Sequence, residues 1–299
     1  MKRIGILLVV LCIMMGLVAC GGDETASTQV PTASTSVATS TASTTPTPSS
    51  APTQTPAASA EVSEIDAPVP DVLEFVIDST GKGSNKVANG PAVTTVGNGN
   101  ATGIDAHTGM QIVSIPKGQE GYYTVSLPSS AYSQLMEGYS LEAYFMIPEF
   151  DANLPFGTDG HDVLGCVEWD GGFGITNPEE GVLNFQQRIT SWQMIDVQAE
   201  YEHGEWVHVV MTYNGKDTVT IYLDGVWENM VLLDYGINEL VPGVDFFAIG
   251  GNSVPADVAP EMIGCGCGVS VGLCNIYSWE LSEDEVADVY AAHVEYLLK

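Results

Sequence analysis

The sequence predicts an all-β domain with one C-terminal helix. Period-two alternation of apolar and polar residues recurs at short intervals beyond about residue 69. Dipeptides that tolerate positive φ separate the runs, and helical spacing is convincing only at the very end.

Taken in order, strands are expected over Leu73 to Ile77, Tyr122 to Ser126, Ser140 to Ile147, Val163 to Trp169, Val182 to Gln187 and Phe246 to Ile249. The clearest pairing is a hairpin. Trp206 to Tyr213 runs into Asn214-Gly215, and Thr218 to Leu223 leaves through Asp224-Gly225. Val207, Val209 and Met211 share one face of the first arm, and Val219, Ile221 and Leu223 share one face of the second, so a half-buried ribbon is expected. Ser282 and Glu285 have the spacing of a capping box. Val286, Val289, Tyr290, His293 and Leu297 follow on one stripe, which should pack on the sheets. His293 reads as a stripe residue with a polar tip, because nothing near it in sequence would orient it.

The front of the chain has a different character. Lys2 and Arg3 precede an apolar run from Ile4 to Val18 that is too short to span a bilayer comfortably, which is the pattern of a secretory signal. Leu17-Val18-Ala19-Cys20 followed by Gly21 resembles the lipobox of bacterial lipoproteins, which implies cleavage before Cys20 and acylation of its thiol. From Asp23 to about Ala60 the chain is Ser, Thr, Pro and Ala and cannot bury enough apolar surface to order itself. As a coil this stalk would reach on the order of 35 Å. The expected organisation is a signal peptide over 1–19, a lipidated Cys and stalk over 20–68, and one folded domain over 69–299, placed at a bacterial cell surface.

The formal net charge is −30, and loss of the leader leaves six bases against 38 acids. Phosphate binding needs clustered Lys and Arg, so nucleic acid is not an expected partner. The membrane is expected to be met through the lipid anchor only.

Several motifs together resemble a known family. Glu205-Trp206-Val207-His208-Val209-Val210, then Thr212-Tyr213 and Ile221-Tyr222-Leu223-Asp224-Gly225, are similar to the central hairpin of laminin-G-like domains in the concanavalin A-like lectin and glucanase superfamily. Tyr122 to Pro128, Ser140-Leu141-Glu142-Ala143-Tyr144, Ile249-Gly250-Gly251 and Ile276-Tyr277 to Leu281 follow the same order of landmarks. The resemblance implies a jelly-roll sandwich of two antiparallel sheets and places Trp206 in the core. It does not imply one function, since that superfamily includes sugar binders, protein binders and hydrolases.

Hydrolases on this scaffold often carry E-x-D-x-x-E on a strand, because two carboxylates must flank the scissile bond. The pattern is absent. Glu64-Ile65-Asp66 ends in Val69, and Glu168-Trp169-Asp170 is followed by Gly171, Gly172 and Phe173. There is no G-x-S-x-G elbow, H-E-x-x-H, P-loop or paired C-x-x-C, and His107, His161, His203 and His208 are dispersed. No catalytic residue is assigned, and the expectation is a binding protein rather than an enzyme.

Cys166, Cys265, Cys267 and Cys274 could make two disulfides, and Cys265-Gly266-Cys267 with Cys274 could instead hold a soft metal. The plainer reading is that Cys166 and Cys274 are small buried strand residues. Asp78 to Asn85 offers oxygen ligands for calcium in a Gly-rich loop, although Lys82 inside it argues against a cation, so no metal or cofactor is assigned. Stacking on a ligand would need exposed rings, for which Trp169, Trp192 and Trp227 are the candidates. The expected ligand is a glycan, with an extracellular protein as the alternative and a divergent glycoside hydrolase on the same fold as the last-ranked reading.

Overall fold

The computed structural model describes residues 66–97, 100–106, 108–116, 121–135, 137–149, 162–165, 172–190, 193–232, 246–251 and 268–294. Cys20, the leader and nearly all of the stalk lie outside the described residues, as do Cys166, Cys265, Cys267, His107, His161, Trp169, Trp192 and Leu297.

In chain order the first elements are β1 (Leu73–Ile77), β2 (Gly83–Asn85), β3 (Val93–Thr95), β4 (Ala101–Ile104), β5 (Gln111–Ile115), β6 (Tyr123–Ser126), α1 (Ser129–Leu135), β7 (Tyr139–Met146) and β8 (Asp162–Gly165). They continue with β9 (Phe173–Glu179), β10 (Val182–Thr190), β11 (Gln193–Glu200), β12 (Val207–Tyr213), β13 (Thr218–Leu223), β14 (Val226–Leu232), β15 (Phe246–Ile249), β16 (Val269–Tyr277) and α2 (Glu283–His293).

The strands form two antiparallel sheets. The first, of nine strands, runs β14-β13-β12-β7-β16-β1-β2, with β5 also on β16 and β4 on β5; the second, of seven, runs β11-β10-β9-β8-β15-β6-β3. One lateral seam joins β14 to β11, where the Asn229 amide donates to the Gln198 carbonyl at 3.0 Å. The other joins β2 to β3, where the Gly83 N–H donates to Thr95 Oγ1 at 3.3 Å.

Alternation builds the core. Leu141, Ala143 and Phe145 of β7, Val209 and Met211 of β12, and Val219 and Ile221 of β13 point inward and join Leu183, Phe185, Val197 and Ile249 of the second sheet in one buried cluster. Each such side chain contributes about 1.5–3 kcal/mol on leaving water. The expected half-buried ribbon needs correcting, because every residue of β12 is buried. Its outward residue Val210 packs with Tyr222 and Tyr277 under Val286 and Val289 of α2, so the helix turns the solvent face of this sheet into a second small core.

Local chemistry sets the turns and caps. Asp224 (φ 48°) and Gly225 (φ 77°) make a two-residue turn between β13 and β14, with both residues left-handed as a type I′ turn requires. Asn214 works differently: its Oδ1 accepts from the N–H groups of Lys216, Asp217 and Thr218 at 2.9, 2.9 and 3.0 Å. The capping box is present, with Ser282 Oγ accepting from the Glu285 N–H at 3.3 Å and Glu285 Oε2 accepting from the Ser282 N–H at 2.8 Å. Such a cap is worth about 1 kcal/mol.

Two further expectations change. Trp206 lies just before β12 and is only partly buried, stacked on outward-facing Tyr144 at 4.7 Å and 19°, so it is not a core residue. Of the strand expected over Val163 to Trp169, the described part falls in β8 (Asp162–Gly165), and residues 166–169 lie outside the described residues. A second helix, α1, sets Tyr132 and Leu135 into the core; it is only seven residues long, with no acid in its first turn and no base in its last. Cys274 is a buried free thiol in β16, as the plainer reading of the cysteines expects.

Candidate binding face

The outward side chains of the seven-stranded sheet form a row of cross-strand partners. It runs Thr94, Thr124, Ala248, Gly165, Gly174, Gln186 and Asp196, one residue from each strand. The middle has almost no side chain. A Cβ on Gly174 would sit 2.4 Å from the Leu164 carbonyl oxygen, and one on Gly165 would sit 2.6 Å from the Gly174 Cα, so β8 and β9 approach too closely for any larger residue.

The polar end of the row is a small array on β10 and β11. Asp196 Oδ1 accepts from Asn184 Nδ2 at 2.9 Å and from Gln186 Nε2 at 3.1 Å. Asp196 is exposed, whereas Asn184 is 5% exposed. Asn184 Oδ1 is buried and has no hydrogen-bond partner among the described residues. A buried acceptor left open is costly, so it marks a place where an outside donor would be welcome. A carboxylate and two carboxamides held flat on a sheet offer fixed donors and acceptors to hydroxyl groups. Among the described residues the array contains one acid, Asp196, held by two carboxamides.

A second polar cluster lies on the other sheet, with its carboxylate fully buried and His293 at its part-exposed rim. Glu142 of β7 is fully buried and accepts four hydrogen bonds: His208 Nε2 at 2.9 Å and His293 Nδ1 at 2.8 Å on Oε1, Asn275 Nδ2 at 2.9 Å and the Tyr277 hydroxyl at 2.7 Å on Oε2. Burial opposes ionisation of Glu142, but the hydrogen bonds and charge of His208 and His293 outweigh it and hold the carboxyl well below the usual carboxylate range. Burial likewise works against protonation of His293, yet the hydrogen bond and charge of Glu142 raise its pKa above the ordinary 6.5. Because the carboxylate is ionised, each ring nitrogen facing it must donate. Centred on a fully buried carboxylate, the cluster serves as a clamp that holds the end of α2 on the sheet. His293 is therefore oriented after all, by a residue far from it in sequence.

Of the three candidate rings, only Trp227 is among the described residues. Trp169 and Trp192 lie outside the described residues, in the connections that follow Gly165 of β8 and Thr190 of β10. Trp227 is described and 47% exposed, but it pairs with Tyr222 on the face of the nine-stranded sheet that carries α2. It shares that edge strand with exposed Val226, Met230 and Leu232.

In the loop expected to suit calcium, Asp78 Oδ1 already accepts from the Thr80 N–H, the Thr80 hydroxyl and the Lys82 N–H at 2.8, 2.6 and 3.1 Å. These bonds, the Thr80 hydroxyl first, hold the Asp78 carboxyl below its ordinary pKa without any ion. Among the described residues no three His, Cys, Asp or Glu side chains converge as a metal site would need.

Comparison with known proteins adds the family. A laminin G family described as the concanavalin A-like lectin/glucanases superfamily matches residues 117–287. No curated protein matches the chain. Among solved structures, one of botulinum neurotoxin type C, whose cell entry is dependent upon interaction with two ganglioside molecules, aligns with a TM-score of 0.57 at 13% identity over 75% of this chain and 51% of its own. The binding domain of botulinum neurotoxin DC in complex with SialylT aligns with a TM-score of 0.55 at 14% identity over 74% of this chain and 51% of its own. The same binding domain in complex with rat synaptotagmin II aligns at 0.55 and 15% identity, over 74% and 51%. The chain thus spans about half the length of these structures, and the likeness is one of fold.

Proposed function

Since the chain belongs to the concanavalin A-like lectin/glucanases superfamily, we propose that its sandwich is a non-catalytic carbohydrate-binding module, held at a bacterial cell surface by lipid on Cys20. The observation that carries the reading is the Asp196 array, with its fixed carboxamides and the open acceptor of Asn184. Structural neighbours of the same fold that engage gangliosides and a protein receptor support a recognition role in general.

Glycan-array binding by the full-length chain tests the assignment. Asp196→Ala should weaken binding of the best glycan at least about tenfold, as expected when a charged hydrogen-bond acceptor is removed. The fold should be unchanged, because Asp196 is exposed. Trp192→Ala would weaken the same glycan if that ring supplies stacking. Binding unaffected by Asp196→Ala would refute the assignment of this face.

A protein ligand is the second reading, and one observation favours it. Val226, Trp227, Met230 and Leu232 expose 65, 47, 40 and 67% of their surface on edge strand β14, and exposed apolar strips commonly mark protein contacts. An array with no glycan signal, together with specific binding to a protein that Trp227→Ala abolishes, would establish that reading instead.

The anchor has its own readout. Cells expressing the chain with a labelled fatty acid should incorporate label into the wild type and none into Cys20→Ser, which should appear in the medium rather than the membrane fraction. Label retained by Cys20→Ser would place the lipid elsewhere or remove it from the account.

A further inference from the structure

Of the six large apolar side chains that stand exposed among the described residues, four belong to β14: Val226, Trp227, Met230 and Leu232. The last three share one face. Trp227 pairs with Tyr222, Met230 with Thr220 and Leu232 with Thr218, whereas Val231 pairs with Val219 and packs on the inner core. Residues three apart in a regular strand point to opposite sides. Trp227 and Met230 meet on one side because the register shifts between Ile221 and Tyr222 and leaves Glu228 as an extra residue. The bulge thus assembles an apolar strip on the face that carries α2, next to Tyr222 of the small core under that helix.

The strip is a face and not an open edge. Asn229 Oδ1 accepts from the Met230 N–H at 2.9 Å, and Asn229 Nδ2 donates to the Gln198 carbonyl of β11 at 3.0 Å. One side chain therefore caps a backbone donor and staples β14 to the neighbouring sheet. That disfavours addition of another strand and leaves docking onto the side chains.

Acids surround the strip. Glu228 stands exposed on the bulge, and Asp217 adjoins Thr218, the partner of Leu232. Glu283 and Glu280 are near enough to Tyr222 to add to the effect of burial in raising its hydroxyl pKa. Lys216, the base next to Asp217, stands 3.6 Å from that carboxylate.

This charge decides among occupants. A second copy would bring the same acids against these, and two chains of net charge −30 repel each other. An anionic bilayer is repelled in the same way, and a neutral one offers the acids nothing. A partner with a cationic rim gains instead, since complementary charge speeds encounter and fixes orientation around an apolar centre. Trp and Met are enriched at the centres of protein contacts, with polar groups around them.

We infer that this strip is a docking face for a basic protein: an apolar side chain of the partner sits against Trp227, Met230 and Leu232, and its Lys or Arg residues meet Glu228, Glu283 and Asp217. The inference rests on the protein reading of the strip given above and adds the chemistry of the partner. It leaves the Asp196 array, on the other sheet, free for a glycan at the same time.

The test is fluorescence anisotropy of three labelled amphipathic peptides titrated with the full-length chain. Each has leucines at the same helical spacing, with Lys, Gln or Glu at the remaining positions. The wild type should bind the Leu/Lys peptide at least about tenfold more tightly than the Leu/Gln peptide, and the Leu/Glu peptide more weakly still. Trp227→Ser with Met230→Ser should weaken the Leu/Lys peptide at least about tenfold. Glu228→Gln with Glu283→Gln should cut its advantage over the Leu/Gln peptide at least about threefold, and Asp196→Ala should change its affinity by less than about twofold. All of these side chains are exposed, so unchanged melting temperatures show that the fold is intact. No Leu/Lys binding, or binding that survives Trp227→Ser with Met230→Ser, overturns the inference, because such a peptide follows overall charge alone. Equal affinity for the Leu/Lys and Leu/Gln peptides, lost in that double variant, removes the basic partner and leaves the protein reading of the strip standing. A dimer in sedimentation, or flotation with phosphatidylcholine vesicles, either one abolished by Trp227→Ser, gives the strip to a second copy or to the bilayer and overturns the inference as well.

Discussion

Glu142→Ala is expected to destabilise the domain by about 3–5 kcal/mol, the range seen when one member of a buried charged network is removed. Four donors lose their acceptor at once, and two of them are histidine nitrogens from β12 and α2. His208 is fully buried and its Nδ1 has no partner among the described residues, so after the substitution its ring would have no hydrogen bond at all. Urea denaturation followed by fluorescence gives the loss directly. Protease cleavage within α2 should begin well below the urea midpoint in the variant and at the midpoint in the wild type. A loss below about 1 kcal/mol would show that the network is a passenger on an already secure helix.

The same clamp sets a pH window. Glu142 has a depressed pKa in the folded chain, so its contribution is complete above the ordinary value of 4.5 and is lost as pH falls below that toward its folded value. His293 has a raised pKa, so its contribution is complete below 6.5 and is lost as pH rises through its higher folded value. Stability should therefore peak between about pH 4.5 and 6.5. Glu74 and Lys86, paired with each other at 2.6 Å, also act on His293 through space, the first raising its pKa and the second, more weakly, lowering it. His293→Gln should flatten the alkaline side of the profile and leave the acid side in place.

Phe173→Ala should cost about 3–5 kcal/mol, as deletion of a large buried ring does when the cavity cannot collapse. Phe173 is fully buried at the start of β9. Its ring stacks on Tyr139 of the opposite sheet at 4.3 Å and 27°, meets Tyr132 of α1 edge-on at 6.2 Å and 65°, and touches Phe247 of β15 at 5.7 Å. One ring thus joins both sheets and the short helix, so its loss loosens three elements together. Phe173→Leu keeps most of the volume and should cost markedly less. Equal losses for the two variants in urea titrations would mean that ring stacking, not cavity volume, governs this site.

Much of the scaffold was legible because its causes are local. Strand alternation at β7, β12 and β13 shows in the sequence since side chains two apart share a face. Asp224-Gly225 and Ser282 with Glu285 announce their turn and cap through contacts within three residues. The site was much less legible. Glu142 sits in an apolar strand like any solvent-facing polar residue, and its partners lie 66, 133, 135 and 151 residues away. Asp196, Asn184 and Gln186 look like an ordinary polar face of two strands until register sets them side by side. Trp206 resembles a core residue by motif, yet its place just before β12 leaves it outside the core, on Tyr144.

By itself the sequence determined the all-β class, the hairpin around residues 207–223, the cap of the last helix and a strongly acidic composition. These follow from neighbours along the chain and from total charge. Only the tertiary structure decided that α2 covers one sheet through a buried carboxylate, that Trp227 pairs with Tyr222 on the sheet carrying that helix, and that Asp196 joins Asn184 and Gln186. The physical reason is that burial and hydrogen-bond partnership belong to strand register and sheet order, which bring together residues whose separation in sequence carries no trace of their contact.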